Sequence, residues 1–272
     1  IVVTGDGSNI TIDGATIKGH ASNNQGGIIT TDGTNTTITI NSDAAIGHDT
    51  AAGLDRYGIQ HSSGSGSITL ITNNGRIETR QTDNNGVGNA ISNNSTIGDI
   101  VNSGQIYSNS KNAITNWNNA GATISKIENT ATGDIWAKRE YAIQNLNTIG
   151  TITNAGMIRS SQEQAIRNAA NDSGDIITLI ENTTGATIKA KSETIINSGG
   201  GTITTITNAG TIKSTGTAGA TIKNYDATID TIENTGIIST TNTSDSSSGK
   251  AIISRNGGVI NTINNSGEIS AI

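Results

Sequence analysis

The chain lacks three residue types that most globular proteins use. Among its 272 residues there is no cysteine, no proline and no phenylalanine, and aromatic residues make up only 2%. The absence of cysteine excludes disulfide bonds and thiolate metal sites. With so few aromatic side chains, an ordinary globular core of this length cannot be filled. A narrow core built from layers of isoleucine is compatible with the composition.

Long apolar runs and an excess of positive charge are also missing. The longest apolar run is only a few residues, so we expect no membrane insertion by this segment. The net charge is −6 and the sequence pI is about 5.0, which disfavours general binding to nucleic acid or anionic membranes. Low mean hydropathy is typical of disorder, but regular columns of isoleucine argue against disorder here.

A short phrase recurs along the whole chain. Residues 151–158 read Thr-Ile-Thr-Asn-Ala-Gly-Met-Ile, and residues 205–212 read Thr-Ile-Thr-Asn-Ala-Gly-Thr-Ile. Internal repetition with a period of 20–50 residues is typical of a solenoid. The copies lie 25 to 31 residues apart when aligned on these isoleucines: Ile12, Ile40, Ile71, Ile100, Ile127, Ile152, Ile180, Ile206, Ile232 and Ile263.

Each repeat carries three short, β-branched, alternating segments separated by Gly or Asn. This pattern favours strands, and no segment has helical apolar spacing. The sequence therefore predicts an all-β fold: a single parallel β-helix of about ten coils, each of roughly 27 residues with three short strands. The preference of parallel crossovers predicts a right-handed winding.

Two columns of asparagine follow the repeat. Each Asn lies two positions after a core isoleucine and so faces the same side of its strand. Buried amides are costly unless hydrogen-bonded, and stacked amides can bond to their equivalents in neighbouring coils. We interpret both columns as structural ladders. One column is Asn73, Asn102, Asn129, Asn154, Asn182, Asn208, Asn234 and Asn265, and the other is Asn93, Asn116, Asn145, Asn168, Asn197 and Asn224.

The repeated Ile-Thr-Asn-Ala-Gly-x-Ile phrase resembles the passenger domains of bacterial autotransporters and related large, repeat-rich surface adhesins. The resemblance covers about residues 10–269. It implies a secreted, extracellular or cell-surface location and, for some members, a role in virulence. Because the chain starts at Ile1 and its end coils offer open strand edges, we expect residues 1–272 to be one β-helix domain of a longer chain.

Histidines and oxygen-rich turns give little chemistry. His20, His48 and His61 have no catalytic spacing with Ser or Asp, and we expect them at the surface without a role. Turns at residues 6–9 and 83–86 offer oxygen ligands for calcium, but Asx-rich turns also form without metal. We expect no metal site and no cofactor.

One outward column contains carboxylates. Glu128, Glu181 and Glu233 occur in alternate coils, about 10 Å apart. This spacing is loose for the paired carboxylates of a retaining glycosidase. We therefore expect that the chain is not an enzyme.

A second outward column is richer in recognition chemistry. The residue after the second-strand isoleucine is Tyr107, Trp136, Arg159, Lys189 and Lys213 in successive coils. Aromatic residues beside Arg are common in binding surfaces, and this stripe suits a sugar or a protein partner. Ordinary cross-strand packing explains the same column without a ligand. Longer loops at 46–59, 77–91 and 238–252 offer another surface.

Three functional classes stay open. The first is a cell-surface rod acting in adhesion, with a host-cell or bacterial surface glycan or protein as its partner. The second is a self-assembling filament, sheath or surface layer built by end-to-end or side-by-side association. The third is a toxin or glycan-active enzyme on the same fold.

Overall fold

The computed structural model describes residues 1–17, 29–47, 57–62, 66–79, 88–169, 174–216, 219–242 and 249–271. Within these ranges the regular structure consists of thirty short strands, and no helix is present. The strands pair in parallel in three ten-stranded sheets, and each sheet takes every third strand of the chain. This topology is a parallel β-helix, which confirms the predicted fold class. The hand of the winding stays a prediction.

Sheet A takes the first strand of each coil. Its strands are β1 (Val2–Val3), β4 (Ile29–Thr31), β7 (Tyr57–His61), β10 (Asn89–Asn93), β13 (Ile114–Asn116), β16 (Ile143–Asn145), β19 (Ile166–Ala169), β22 (Ile195–Ser198), β25 (Ile222–Tyr225) and β28 (Ile252–Arg255).

Sheet B takes the second and longest strand of each coil. Its strands are β2 (Asn9–Ile12), β5 (Thr36–Ile40), β8 (Ser67–Asn73), β11 (Thr96–Asn102), β14 (Thr123–Asn129), β17 (Thr148–Asn154), β20 (Ile176–Asn182), β23 (Thr202–Asn208), β26 (Thr228–Asn234) and β29 (Val259–Asn265).

Sheet C takes the third strand of each coil. Its strands are β3 (Thr16–Ile17), β6 (Ala45–Ile46), β9 (Arg76–Thr79), β12 (Gln105–Ser108), β15 (Asp134–Ala137), β18 (Met157–Ser160), β21 (Thr187–Ala190), β24 (Thr211–Ser214), β27 (Ile237–Thr240) and β30 (Glu268–Ala271).

The coils are not equally well formed. The first two coils contain strands of only two residues, β1, β3 and β6. From β7 onward, every strand has three to seven residues. Eight fully formed turns therefore follow two shorter ones, so the regular part of the helix is shorter than the ten coils that the sequence predicts.

Isoleucine fills the space between the three sheets. In β17, Ile149 and Ile152 point inward and are fully buried, while the residues beside them face outward. Each stacks on an isoleucine in the coils before and after, as Ile152 does on Ile127 and Ile180. Burying one such side chain stabilises the fold by about 1.5–3 kcal/mol. A column of identical β-branched side chains therefore replaces the mixed core of a globular protein.

The register corrects the predicted alignment at the N-terminus. Ile38, not Ile40, lies opposite Ile71, and Ile40 lies opposite Asn73. Ile12 in turn lies opposite Ile40. The first two coils therefore place isoleucine where later coils place asparagine. The alignment on one repeat phrase was wrong here because each of these coils has two isoleucines, two residues apart on the same face of the strand. The second isoleucine of each pair was aligned in place of the first.

Close stacking of the coils explains the glycines after the first asparagine column. A Cβ atom on Gly104 would lie 2.0 Å from the carbonyl oxygen of Gly75, one coil earlier. Gly236 meets the oxygen of Gly210 at 2.1 Å in the same way. No side chain fits at such a distance, so glycine is required by the approach of backbones rather than by the turn alone.

Both asparagine columns form the predicted ladders. In each rung, Asn Nδ2 donates a hydrogen bond to the Oδ1 atom of the asparagine in the following coil. The distances are 2.7–2.9 Å in the first column. They are 2.8–3.0 Å in the second. The interior rungs are buried, and their amides also donate to backbone carbonyls, as Asn129 does to Gly133 and Met157.

The two ladders end differently. Asn73 begins the first column, and its Oδ1 atom has no hydrogen-bond partner among the described residues, because Ile40 precedes it. The second column begins one coil after His61, which is fully buried and in register with Asn93. The last member of this column, Asn224, donates to Ser254 Oγ at 3.3 Å. The expectation that His61 lies at the surface was wrong, because a strand position in register with an inward column is itself inward.

An interior rung should be costly to remove. Asn154→Ala takes away one of the three acceptors of Asn129 and the donor to Asn182 Oδ1, which leaves the buried oxygen of Asn182 unsatisfied. We expect a loss of about 2–4 kcal/mol in unfolding free energy, measured by circular dichroism during denaturant unfolding. Asn265→Ala, at the exposed last rung, is the matched control and should cost less than about 1 kcal/mol. Equal losses in both variants would contradict the ladder as a source of stability.

Candidate functional site

The predicted stripe forms one line on sheet C. Each member lies directly opposite the next across successive strands, and all are half-buried. In order along the rod these residues are Tyr107, Trp136, Arg159, Lys189 and Lys213. Their geometry divides the line into an aromatic part and a lysine part. A role in binding stays a prediction for both.

The aromatic part is closed by its own contacts. The ring centroids of Tyr107 and Trp136 lie 4.5 Å apart with planes inclined at 39°. On the other side, the guanidinium carbon of Arg159 lies 4.1 Å from the Trp136 ring centroid. Because these neighbours come from the coils before and after, both faces of the indole are covered. Trp136 Nε1 donates to Ser161 Oγ at 2.9 Å, so its polar edge is also satisfied.

The charge of Arg159 is neutralised within the protein. Its Nε and Nη2 atoms donate to the two carboxylate oxygens of Asp134 at 3.0 and 2.7 Å. Such bidentate pairs are among the stronger hydrogen bonds in proteins. Asp134 lies opposite Met157 in the neighbouring outward column of sheet C. A sugar ring could stack on Trp136 only by displacing this ion pair. The main role of the aromatic part is therefore to pack side chains against one another on sheet C.

The lysine part has no such compensation. Lys189 lies directly opposite Lys213 in the next strand, and the neighbouring outward column there contains Thr187 and Thr211. Lys191 follows two residues after Lys189 and is exposed. None of these three lysines makes an ion pair with a described residue. Like charges directly opposite each other destabilise a sheet.

On sheet B, by contrast, a lysine is neutralised by a neighbouring carboxylate. Lys126 pairs with Glu128, two residues away on the same strand, at 2.7 Å. The hydrogen bond to Glu128 raises the pKa of Lys126 above its usual value. A neutralised lysine is therefore available to this fold, and sheet C departs from that pattern at Lys189 and Lys213.

Sequence reasoning missed a polar crevice at the corner between sheets C and A. It has a volume of about 680 Å³ and crosses three coils. In these three coils a charged residue, Lys111, Glu140 or Glu163, lies two residues before the Ala-Ile pair of sheet A. The lining residues are Ser110, Lys111, Arg139, Glu140, Tyr141, Gln144, Gln162, Glu163 and Arg167.

Contacts within the crevice hold its charged groups in place. Lys111 pairs with Glu140 at 2.6 Å. Arg167 donates to Tyr141 Oη at 2.8 Å, and its guanidinium carbon lies 4.8 Å from the Tyr141 ring centroid. Burial raises the pKa of the Tyr141 hydroxyl, so it stays protonated at neutral pH. The crevice is thus a prearranged set of hydrogen-bonding groups beside sheet C.

A half-buried ion pair continues this corner toward the C-terminus. Lys223 contacts Glu193 at 3.0 Å, and Gln164 donates to the other carboxylate oxygen at 2.9 Å. Burial acts to raise the pKa of Glu193, but the hydrogen bonds from Ser192 and Lys223 outweigh it and hold the pKa below its usual value. Glu193 is therefore ionised and engaged, and it does not neutralise the lysines of sheet C.

The predicted carboxylate column lies where the sequence places it. Glu128 and Glu181 are separated by Thr153, and Glu181 and Glu233 by Thr207, in adjacent strands of sheet B. Each carboxylate contacts a neighbour within the protein, which is Lys126, Thr153 and Asn264 in turn.

The turn at residues 6–9 uses its oxygens within the protein. Asp6 accepts a hydrogen bond from the Thr34 backbone N–H at 2.8 Å, which lowers the pKa of the carboxyl. His20, His48 and residues 83–86 lie outside the described residues, as do large parts of the three longer loops. In the ranges that the structure does describe, no group of three or more acidic or histidine side chains is placed to hold a metal ion. The same ranges contain no helix long and apolar enough to cross a membrane.

Comparison with known proteins adds no relative: no family model matches the chain, and no curated protein or solved structure shows significant similarity to it.

One buried carboxyl lies away from these surfaces. Asp175 occupies the corner before β20, is 4% exposed, and its Oδ2 atom has no hydrogen-bond partner in the described part of the chain. Burial raises its pKa to about 6. The corresponding residue one coil earlier is Asn147, which precedes β17 and donates to the carbonyl of Asn119. The corner thus accepts an amide where this coil has an acid.

Replacing this acid should stabilise the protein only above its unfolded pKa. Because the folded pKa of Asp175 is raised, ionisation costs stability as the pH rises from about 4 through 6, and the cost is full at pH 7. We expect Asp175→Asn to raise the unfolding free energy by about 1–3 kcal/mol at pH 7 and hardly at pH 4. Asp134→Asn should do the opposite at pH 7, because it breaks the pair with Arg159. An equal gain at both pH values, measured by thermal melting, would exclude ionisation as the cause.

The aromatic part of the stripe should carry stability. Trp136→Ala removes the contacts with both Tyr107 and Arg159, and we expect a loss of about 1–3 kcal/mol in unfolding free energy. Lys189→Gln, in the same column, relieves repulsion and should leave the melting temperature unchanged or higher. If Trp136→Ala melts like the wild type, the stacked contacts contribute nothing, and the indole is available for a ligand.

Proposed function

We propose that this chain is part of a secreted or cell-surface bacterial rod acting in adhesion, and that it contacts a surface glycan or protein through the sheet C side. The parallel β-helix and its asparagine ladders support a long, stiff element. The resemblance of the repeat to autotransporter passengers and repeat-rich adhesins supports the location and the role. The contact surface comprises the sheet C strands of coils 4–8 and the loops that lead from them to sheet A.

The distribution of charge carries this proposal. The contact surface holds seven of the chain's 16 basic residues but only four of its 22 acidic residues. Two of those acids, Asp134 and Glu140, pair with cations of the same surface, and Glu193 pairs with Lys223 of sheet A. In a chain of net charge −6, this positive surface is a local exception. Uncompensated charge on one side of a rod gives complementarity to an external partner.

End-to-end self-assembly is less well supported by the register. The last coil exposes apolar residues, with Ile263 46% exposed. If two copies stacked head to tail in register, Asn265 would meet the column position of Ile12, and Ser254 that of Val3. The Nδ2 group of Asn265 would then be buried against an isoleucine with no side-chain acceptor, which costs stability. Neither ladder continues across such a junction.

We also propose that the rod has no catalytic role of its own. The carboxylates of sheet B lie in alternate coils and contact their own neighbours, as described above. A preparation active against polysaccharides, with activity lost in Glu181→Gln, would contradict this.

Attachment should depend on the charged side of the rod. Beads coated with the purified chain should attach to bacterial or host cells, and a Lys138→Gln/Lys189→Gln/Lys213→Gln variant should attach about tenfold less. The control is Lys126→Gln/Lys250→Gln/Arg255→Gln, which removes the same charge from other parts of the rod and should attach normally. Equal loss in both variants would show that only net charge matters. Absence of attachment by the wild type to any cell surface would refute the adhesive role.

A further inference from the structure

We infer that Lys189, Lys191 and Lys213 form a binding site for an acidic polysaccharide, whose carboxylate or sulfate groups lie against the three amino groups. The inference rests on the proposed function and names the chemistry of its ligand. It depends on three features: the placement of the lysines, the lack of internal partners for them, and a groove that runs along the rod to reach them.

The three lysines border a single patch. Lys189 and Lys213 face each other across adjacent strands, about 4.8 Å apart. Ile188 and Ala190 are buried on either side of Lys189, so Lys189 faces outward. Lys191 follows Ala190, the last residue of β21, and is exposed at the bend that leads toward sheet A. The patch therefore has three positive charges in two neighbouring coils: Lys189 and Lys191 in one coil, and Lys213 in the next.

Among the residues that the structure describes, no carboxylate forms an ion pair with the patch. The neighbouring column contributes Thr187 and Thr211, and the carboxylate of Asp134 is already held by both donors of Arg159. The repulsion between Lys189 and Lys213 is a cost to the folded sheet. An external anion removes that cost on binding, so the patch favours a ligand that brings several negative charges at once.

A groove leads along the rod axis to Lys189. It has a volume of about 550 Å³ and is lined in successive coils by Gly133, Gly156 and Gly185, with Arg159 and Thr187 at its side. The glycines leave backbone rather than side chains at its floor. Grooves of this size accommodate ligands of a few rings. An extended polymer lying in this groove passes over threonine hydroxyls and backbone groups and reaches the lysine patch at its end.

These surroundings favour a polysaccharide over other polyanions. Single-stranded nucleic acid is held by aromatic stacking platforms, and both faces of Trp136 are covered. An added peptide strand needs an open sheet edge, but β21 and β24 are paired on both sides. A chain of hydroxyl-bearing rings with acidic groups needs neither of these. It needs hydrogen-bonding groups and spaced cations, which the groove and the patch supply.

Titration calorimetry with defined oligosaccharides tests the inference. The probes are a heparin-derived oligosaccharide for sulfate, an oligogalacturonate of equal length for carboxylate, and a neutral malto-oligosaccharide. We expect at least one acidic probe to bind, with an affinity that falls as the salt concentration rises, and the neutral probe not to bind. Comparison of the two acidic probes shows which anionic group is preferred.

Two charge-matched variants locate the site. Lys189→Gln/Lys191→Gln/Lys213→Gln should bind the acidic probe about tenfold more weakly or worse, and should melt no lower than the wild type. Lys126→Gln/Lys250→Gln/Arg255→Gln loses the same charge elsewhere and should bind within about twofold of the wild type. A similar loss in both variants overturns the site. Equal affinity for single-stranded DNA of matched charge overturns the assignment to polysaccharide.

The outcome separates this inference from the adhesive role. If cell attachment is normal and no acidic probe binds, the inference is wrong and the partner is of another class. If an acidic probe binds through the lysines but the coated beads attach to no cell, the site is correct and the surface role is wrong.

Discussion

The fold depends on the hydrogen bonds between equivalent asparagines in successive coils. Each interior Asn is buried, and its amide is satisfied by the same residue in the coils before and after together with nearby backbone carbonyls. A slip of one residue would point the asparagines outward and bury their neighbours. The ladders thereby fix the register, and a fixed register turns each position of the repeat into a column. Isoleucine columns become the core, glycine columns become the close corners, and the remaining columns become a patterned surface.

The same register decides which surface residues can interact. A charged side chain in a column has its nearest partners directly above, directly below and in the next column. Arg159 has a carboxylate in the next column and a ring above it, so its binding capacity is used within the protein. Lys189 has Arg159 on one side, Lys213 on the other and threonines beside it. One column thus contains a closed part and an open part, and their difference follows from the neighbours rather than from the residues themselves.

Periodicity explains how much of this the sequence could predict. The isoleucine and asparagine columns were predictable because each repeats over many coils, and so the architecture and both ladders follow from the pattern. The alignment of Ile12 and Ile40 was wrong because the first two coils carry isoleucine in the asparagine column. The burial of His61 was missed for a related reason, since its residue type occurs once in that column. The crevice around Tyr141 was missed because its charged residues change type from coil to coil. Features that occur in only one or a few coils cannot be predicted from the repeat.

This distinction bears on where function lies in such a rod. Every coil must fill a narrow core and provide hydrogen-bond partners for its inward polar groups. Residues that recur in every coil serve these two structural needs. A ligand binds at one place on the rod. The residues that bind it should therefore differ from the repeat, and their placement should carry a cost in folding free energy that no contact within the protein offsets. Lys189 and Lys213 meet both conditions: their column changes residue type from coil to coil, through Trp136 and Arg159 to the lysines, and the two lysines repel each other in the folded state. Trp136 breaks the pattern too, but its contacts are complete, which makes it a support of the sheet beside the site. Uncompensated cost, more than unusual residue type, is therefore the better guide to the binding surface of this rod.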